Sequence, residues 1–287
     1  MSFKVGLDDG HGISTPGKRT APLKEDIKFN GQIRKKGTTI KENEFNELIM
    51  RKVEAKLKQQ NISYIELAPT TEDTPLTTRA NRANANKCDI VVSIHANAIT
   101  GSWQSKAYGL TVIKTQGCQA NSSKLADIMY KHLKLVDFPS NGATKYGVKV
   151  DVNISGYTLA ILSKTKMPAV LLELGFMDNW EDVKAMCSSK FQDQCAEAIV
   201  KAICEYAGVK YISNSSTEKF QIRVKCKEAL NVRKVPDWNA EPITTVKNGQ
   251  YLDVIDRVDA KNGSTDMYKL ESGLYITTSE KYVERVN

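Results

Sequence analysis

Apolar and polar residues follow two different rhythms along this chain, and the change from one to the other falls just past residue 210. In the first part, short runs rich in Val, Ile and Leu alternate with longer stretches whose apolar positions recur every three or four residues. Phe3 to Asp8, Ile62 to Leu67, Asp89 to Ile94, Leu110 to Lys114 and Met167 to Leu172 are the short runs. Their length and β-branched content predict strands, several of them buried on both faces. Glu42 to Gln60 carries Phe45, Ile49, Val53 and Leu57 four apart, with Leu48 widening the stripe, and so reads as an amphipathic helix. Leu76 to Lys87, Ser122 to Leu135, Trp180 to Met186 and Phe191 to Tyr206 read as helices in the same way. Alternation of strand and helix predicts an α/β layered fold over residues 1–210, with a mostly parallel sheet flanked by helices.

Residues 211–219, Tyr-Ile-Ser-Asn-Ser-Ser-Thr-Glu-Lys, are polar and serine-rich, as a linker is. Beyond them the helical period disappears. Gln221 to Cys226, Leu230 to Arg233, Ile243 to Val246, Tyr251 to Val258, Met267 to Leu270, Tyr275 to Thr277 and Tyr282 to Val286 read as strands. Pro236-Asp237, Asn248-Gly249, Asn262-Gly263 and Ser272-Gly273 supply the turns between them. Residues 220–287 are therefore expected to form a small all-β barrel or sandwich.

The long polar connection from Ile13 to Lys41 breaks the first rhythm. It carries Lys18, Arg19, Lys24, Lys28, Arg34, Lys35, Lys36 and Lys41 against only Glu25 and Asp26. A mobile surface loop and a basic flap beside a functional site both fit that pattern. Charge is unevenly spread more generally: residues 1–219 hold 30 Lys+Arg against 23 Asp+Glu, an excess of 7, and residues 220–287 hold 11 against 10. Such a surface favours polyanions, among them the anionic polymers of bacterial walls. No helix-turn-helix, zinc knuckle or basic stripe with interleaved aromatics accompanies it, so nucleic acid is not the expected partner.

No apolar stretch approaches the roughly 18 residues of a membrane span, so membrane insertion is not expected. The N-terminal residues run directly into a strand, without the basic and apolar segments of a Sec-type signal. The six cysteines, Cys88, Cys118, Cys187, Cys195, Cys204 and Cys226, form no C-x-x-C pair and no zinc-finger spacing. They are expected to be reduced, partly buried thiols.

Chemistry enters where the strands stop. His11 follows the first strand through Gly10, His95 follows Ile90 to Ile94, and Glu173 follows Met167 to Leu172. Glu42 opens the first long helix. In open α/β sheets the carboxyl ends of the strands carry the ligand site. Two imidazoles and a carboxylate make the donor set of a hydrolytic zinc site, and a further carboxylate can act as general base. The intervals of 31, 53 and 78 residues match no compact metal motif, so shared position at one sheet edge is the argument. His132, between Lys131 and Lys134 on a polar helix face, is expected to be a solvated histidine outside the site.

Four segments resemble the signature blocks of the zinc-dependent N-acetylmuramoyl-L-alanine amidases of the family-3 type. They are Gly6-Leu7-Asp8-Asp9-Gly10-His11-Gly12, Lys41-Glu42-Asn43-Glu44-Phe45-Asn46, Ser93-Ile94-His95-Ala96-Asn97-Ala98 and Pro168-Ala169-Val170-Leu171-Leu172-Glu173-Leu174-Gly175-Phe176. They occur in the family's order. The resemblance implies that His11, Glu42 and His95 ligate Zn2+, that Glu173 is the catalytic carboxylate, and that Asp8 is an outer partner. It implies cleavage of the amide between the lactyl group of N-acetylmuramic acid and L-alanine of the stem peptide in peptidoglycan. With no export signal, the expected setting is a phage or prophage endolysin of a Gram-positive host, made in the cytoplasm and released to the wall by a membrane-permeabilising partner. A zinc peptidase or carboxypeptidase acting on stem peptides is the alternative within the same chemistry. The C-terminal part is similar to bacterial SH3-like wall-binding domains through Ala229-Leu230-Asn231-Val232-Arg233 and Gly273-Leu274-Tyr275-Ile276. Trp238, Tyr251, Tyr268, Tyr275 and Tyr282 are candidates either to line a groove there or to fill the core.

Overall fold

The computed structural model describes every residue except 1–2, 118–119, 139–146, 213–218, 259, 264 and 287. Two compact units result, Met1–Ile212 and Ser213–Asn287. The described part of the expected linker contributes Tyr211 and Ile212 to the first unit: Ile212 exchanges two hydrogen bonds with the Gln60 side chain, at 2.7 and 2.9 Å. Residues 213–218 of that linker lie outside the described residues.

The first unit begins with β1 (Lys4–Asp9), β2 (Ile27–Phe29), β3 (Gln32–Arg34), α1 (Glu42–Gln59), β4 (Ser63–Glu66), α2 (Leu76–Ala85) and β5 (Ile90–Asn97). It continues with β6 (Leu110–Lys114), α3 (Ala120–Leu133), β7 (Gly147–Val150), α4 (Val152–Ser155), α5 (Ala160–Ser163), β8 (Ala169–Phe176), α6 (Trp180–Cys187) and α7 (Ser189–Ala207). Six strands form one sheet in the order β4-β1-β5-β8-β6-β7. β4, β1, β5 and β8 run parallel, whereas β6 is antiparallel to β8 and parallel to β7. The sheet is thus mixed, with its parallel half carrying the site.

Both faces of this sheet are covered, and the period-2 alternation of strand side chains divides each strand between them. Ile90, Val92, Ile94, Val170 and Leu172 point into the larger core with Phe45, Val53, Leu125 and Ile199 from the helices. Val91, Ala169 and Leu171 point into a smaller core with Ala83 and Ile161. Burying side chains of this size contributes roughly 1.5–3 kcal/mol each, which explains why the central strands read as unbroken apolar runs.

Three expectations need correction. His95 and Glu173 are not the last residues of their strands, because β5 runs on to Asn97 and β8 to Phe176. Main-chain pairing continues past both, with a register shift between His95 and Asn97; a chemistry-bearing polar residue within a run does not end a ladder whose hydrogen bonds come from the backbone. The segment 13–41 is not a structureless loop: β2 and β3 form a hairpin across Asn30-Gly31, both with positive φ. Leu23, Phe29 and Ile40 are fully buried, with Phe29 packing on Phe45 at a ring separation of 4.9 Å. Its apolar anchors are too widely spaced to register as a periodic element. Finally, His132 is paired rather than solvated, its Nε2 lying 2.7 Å from Glu205 Oε2 on α7.

One charged pair is wholly inside the first unit. Arg79 of α2 and Asp8 of β1 are each 1% exposed, and Arg79 Nη1 donates to Asp8 Oδ1 at 2.7 Å. The remaining guanidinium donors reach the main-chain oxygens of Thr74, Asp9 and His11 and the Asp73 carboxylate. Ser93 Oγ donates to the second oxygen of Asp8. This saturation is what makes a buried ion pair tolerable.

The second unit contains β9 (Phe220–Val224), β10 (Leu230–Arg233), β11 (Pro242–Val246), β12 (Tyr251–Val258), β13 (Met267–Leu270), β14 (Tyr275–Thr277) and β15 (Val283–Val286). They pair antiparallel in the order β11-β10-β14-β13-β12-β9-β15. Ile222, Val232, Val254, Leu270, Ile276 and Val283 form its core. Tyr268 packs against that core and against Phe220, at 5.3 Å between rings, while Tyr251 is exposed.

Two outcomes are expected from this packing. Arg79→Ala leaves Asp8 buried without its partner and should lower the unfolding free energy by about 3–5 kcal/mol, read by urea denaturation; a loss within error would deny the pair its structural weight. Cys187 and Cys195 are buried, and burial pushes the Cys187 thiol up to about 12 and Cys195 higher than its ordinary value. Neither should react with a thiol reagent at pH 8 until the protein is unfolded, as peptide mapping of the labelled chain will reveal.

Candidate metal centre

The parallel strands deliver three of the sequence-predicted residues to one edge. β1 ends at Asp9, and the chain turns sharply through Gly10-His11-Gly12, with His11 held at φ 65. A Cβ on Gly10 would sit 2.0 Å from His95 Cε1, and one on Gly12 would sit 2.3 Å from the Asp73 amide nitrogen. Only glycine allows this approach. The left-handed backbone of His11 is uncommon for a side-chain-bearing residue, and three donors hold it. Its carbonyl oxygen accepts from Arg79 Nη2 at 3.1 Å and Asn43 Nδ2 at 3.3 Å, and Asn46 Nδ2 donates to the Gly10 carbonyl at 2.9 Å.

Glu42 is the first residue of α1, and its backbone N–H donates to the Lys18 carbonyl at 3.0 Å. A helix-start amide that has no partner within the helix is thereby satisfied by the preceding segment. Glu44, two residues on, has a different task. Its carboxylate accepts from the N-cap Lys41 N–H at 2.9 Å and pairs with Arg34. Glu42 alone of the two turns toward the histidines.

His95 and Glu173 stand in register on neighbouring strands β5 and β8. Glu42 Oε1 lies 3.0 Å from His95 Nδ1 and accepts from the Ala96 N–H at 3.2 Å, and Glu42 Oε2 lies 3.4 Å from His11 Nε2. The two imidazoles meet edge to face with centroids 5.1 Å apart. One donor atom from each of His11, Glu42 and His95 falls within 4.8 Å of the others. Glu42 Oε2 and Glu173 Oε2 are both buried without a hydrogen-bond partner among the described residues. Two histidine nitrogens and a carboxylate oxygen that lacks a donor fit a zinc-type divalent cation, which takes such ligands in a compact cluster.

The electrostatics of the cluster follow from its depth. Burial pushes His11 down to about 4, although the Glu42 charge works against this. Burial also opposes charge on Glu42 and on His95, but their hydrogen bond and mutual attraction outweigh it. Glu42 is held below the usual carboxylate value and His95 above the usual imidazole value. Glu173 has no such close partner: burial, with the Glu42 charge added and the His95 charge opposed, pushes it up to about 8. Neighbouring Asp9 is raised to about 7 by burial and by the Asp8 charge. Two clefts open on the cluster. One of about 290 Å³ is lined by Lys18, Glu42, His95, Asn97 and Glu173 among others, and one of about 340 Å³ by His11, Asp73, Leu76, Arg79 and His95.

Sequence reasoning thus named the four groups that converge, and it missed the scaffold that holds them. Asn43 and Asn46 lay unremarked within the second block. Arg79 carried a usable signal, because on the predicted helix it shares the stripe of Ala80 and Ala83, where an arginine must find a buried partner.

Known proteins match this chain in both sequence and structure. The family model described as N-acetylmuramoyl-L-alanine amidase matches residues 5–205. An endolysin of Bacillus phage SPP1 is 32% identical over 297 residues, spanning 99% of this chain and 98% of the phage protein. The N-acetylmuramoyl-L-alanine amidase CwlM of Bacillus licheniformis is 31% identical over 189 residues, 66% of this chain and 62% of its own length. Among solved structures, the catalytic domain of the amidase CwlV from Bacillus (Paenibacillus) polymyxa var. colistinus aligns with TM-score 0.55 and 25% identity, over 72% of this chain and 99% of that one. The strand ends, the two-histidine cluster and these matches agree: the chain belongs to the N-acetylmuramoyl-L-alanine amidase family.

Proposed function

We propose that this protein is a zinc-dependent peptidoglycan amidase of the endolysin type, hydrolysing the amide between the lactyl carbonyl of N-acetylmuramic acid and the nitrogen of L-alanine. The observation that carries the reading is the convergence of His11, Glu42 and His95 on one point, with the unpartnered Glu173 carboxyl in the same cleft. The match to the phage endolysin runs through both units, so it supports the endolysin setting for the whole chain. No helix among the described residues is long and apolar enough to cross a membrane.

His11, Glu42 and His95 would hold the zinc ion, and the chemistry such an ion supplies is polarisation of a carbonyl oxygen and acidification of water. Glu173 is the residue that moves the proton. Its Oε2, buried and without a competing donor, accepts a proton from the attacking water and passes it to the departing L-alanine nitrogen. A C–O bond forms at the lactyl carbon and the C–N bond breaks, leaving a lactyl carboxylate and a free α-amine. Its place in the cleft beside Glu42 and His95 lets Glu173 hold that proton between the two steps. Asp8 and Arg79 act at a distance from the reacting atoms, by fixing the carbonyl of His11 and with it the ring. The second unit, SH3-like in this reading, retains the enzyme on peptidoglycan and its anionic wall polymers.

Product chemistry decides between the amidase and a stem-peptide peptidase: digestion of a defined muropeptide should free the amine of L-alanine, whereas an intact lactyl amide beside a cut peptide bond would remove the assignment. Glu173→Ala should keep near-stoichiometric zinc by elemental analysis while turnover falls by at least ~100-fold; His95→Ala should lose both metal and turnover. A chain ending at Ile212 should still cleave soluble muropeptides but cosediment less with purified walls, and undiminished cosedimentation would take the anchoring role from the second unit.

A further inference from the structure

Lys18 is used by neither the metal cluster nor the proton path, yet it stands in the same cleft. Among the described residues lining that 290 Å³ space, it is the lone lysine or arginine, facing a wall that includes Glu42, Glu173 and Asn97. Its side chain is 46% exposed, and its ammonium is 3.8 Å from Glu42 Oε2, beyond hydrogen-bond distance. The backbone of Lys18 is fixed much more tightly than its side chain. Its carbonyl accepts from the Glu42 N–H at 3.0 Å, Arg19 bridges to Lys41, and the Thr20 N–H donates to the Ile40 carbonyl at 2.9 Å. The pinned backbone roots Lys18 beside the cleft, and its ammonium, within ion-pair but not hydrogen-bond range of Glu42, has donors still to offer.

We propose that Lys18 is the specificity residue for a carboxylate of the stem peptide one residue beyond the scissile amide. The inference rests on the amidase reading above. Consecutive Cα atoms are about 3.8 Å apart, so a peptide whose first amide lies at the cluster brings a charge on its second residue into the reach of this side chain. In stems whose second residue keeps its free carboxylate, that group meets the cation; in stems where it is a carboxamide, the charge is absent. His95 and His11 both lie closer to Glu42 than Lys18 does, so the ammonium is the outermost of the three groups beside that carboxylate and is open to the cleft. A charge-assisted hydrogen bond contributes mainly to the binding of both ground state and transition state, so the effect belongs in KM.

The test measures kcat and KM on two soluble muropeptides that differ only in carboxylate or carboxamide at the second residue, for the wild type, Lys18→Gln and Lys18→Arg, with zinc content determined for each. The wild type should favour the carboxylate substrate by about 10- to 100-fold in kcat/KM, chiefly through KM. Lys18→Gln should treat the two alike, Lys18→Arg should keep the preference, and all three should hold equal zinc. A wild type that does not discriminate, a Lys18→Gln variant that loses kcat equally on both substrates, or one that loses zinc would each overturn the proposal while leaving the amidase reading intact. If the wild type frees the L-alanine amine from neither substrate, the amidase reading itself fails, and the carboxylate role with it.

Discussion

A carboxylate that is 1% exposed must be surrounded by positive charge or give up its own, and Glu42 is such a group at the edge of the sheet. Desolvation of an isolated anion costs far more than any single contact in the protein returns. The surroundings meet that demand chiefly with His95 at 3.0 Å, held above the usual imidazole value, with His11 at 3.4 Å and Lys18 at 3.8 Å beyond it. The same arrangement is what a divalent cation requires of its ligands. Burial of Glu42, convergence of the histidines and capacity for metal are thus one constraint seen from three sides.

That constraint propagates inward. His11 can face Glu42 only from a left-handed backbone, which needs glycines on both sides and donors on its carbonyl. Arg79 supplies the donor and is in turn held by Asp8, which Ser93 of β5 also binds. A chain of saturated polar contacts therefore links β1, α2 and β5 beneath the cluster. Rigid support of this kind, remote from the reacting atoms, is what keeps ligand geometry within narrow limits.

The cleft beside the cluster has opposite requirements. Burial raises Glu173 in proton affinity, and Lys18 stays half exposed on a pinned backbone. Proton handling needs a group that can be either charged or neutral, whereas recognition of an anion needs a fixed cation open to the ligand. The segment between β1 and α1 supplies the cation, and its own apolar anchors, Leu23, Phe29 and Ile40, fasten it to the main core.

Local sequence determined a good deal of this. Apolar runs of β-branched residues marked the buried strands, the four-residue spacing from Phe45 to Leu57 marked a helix stripe, and the four chemistry-bearing residues stood out beside those runs, although β5 and β8 continue past His95 and Glu173. Period is a local property, and these features are local. What the sequence left open depends on partners far away along the chain. It could not show what separates Glu42 from its neighbour Glu44: the Lys41 amide and Arg34 claim Glu44, and the histidines claim Glu42. It could not distinguish a solvated His132 from one bound to Glu205, or a loose basic loop from a hairpin segment with three buried anchors. Nor could it see that Arg79 lies beneath His11, since the two are 68 residues apart and meet only when α2 packs against the parallel sheet. Spacing along a chain selects elements, but the coordination of a buried charge is decided by what the tertiary fold brings within 3 to 4 Å of it.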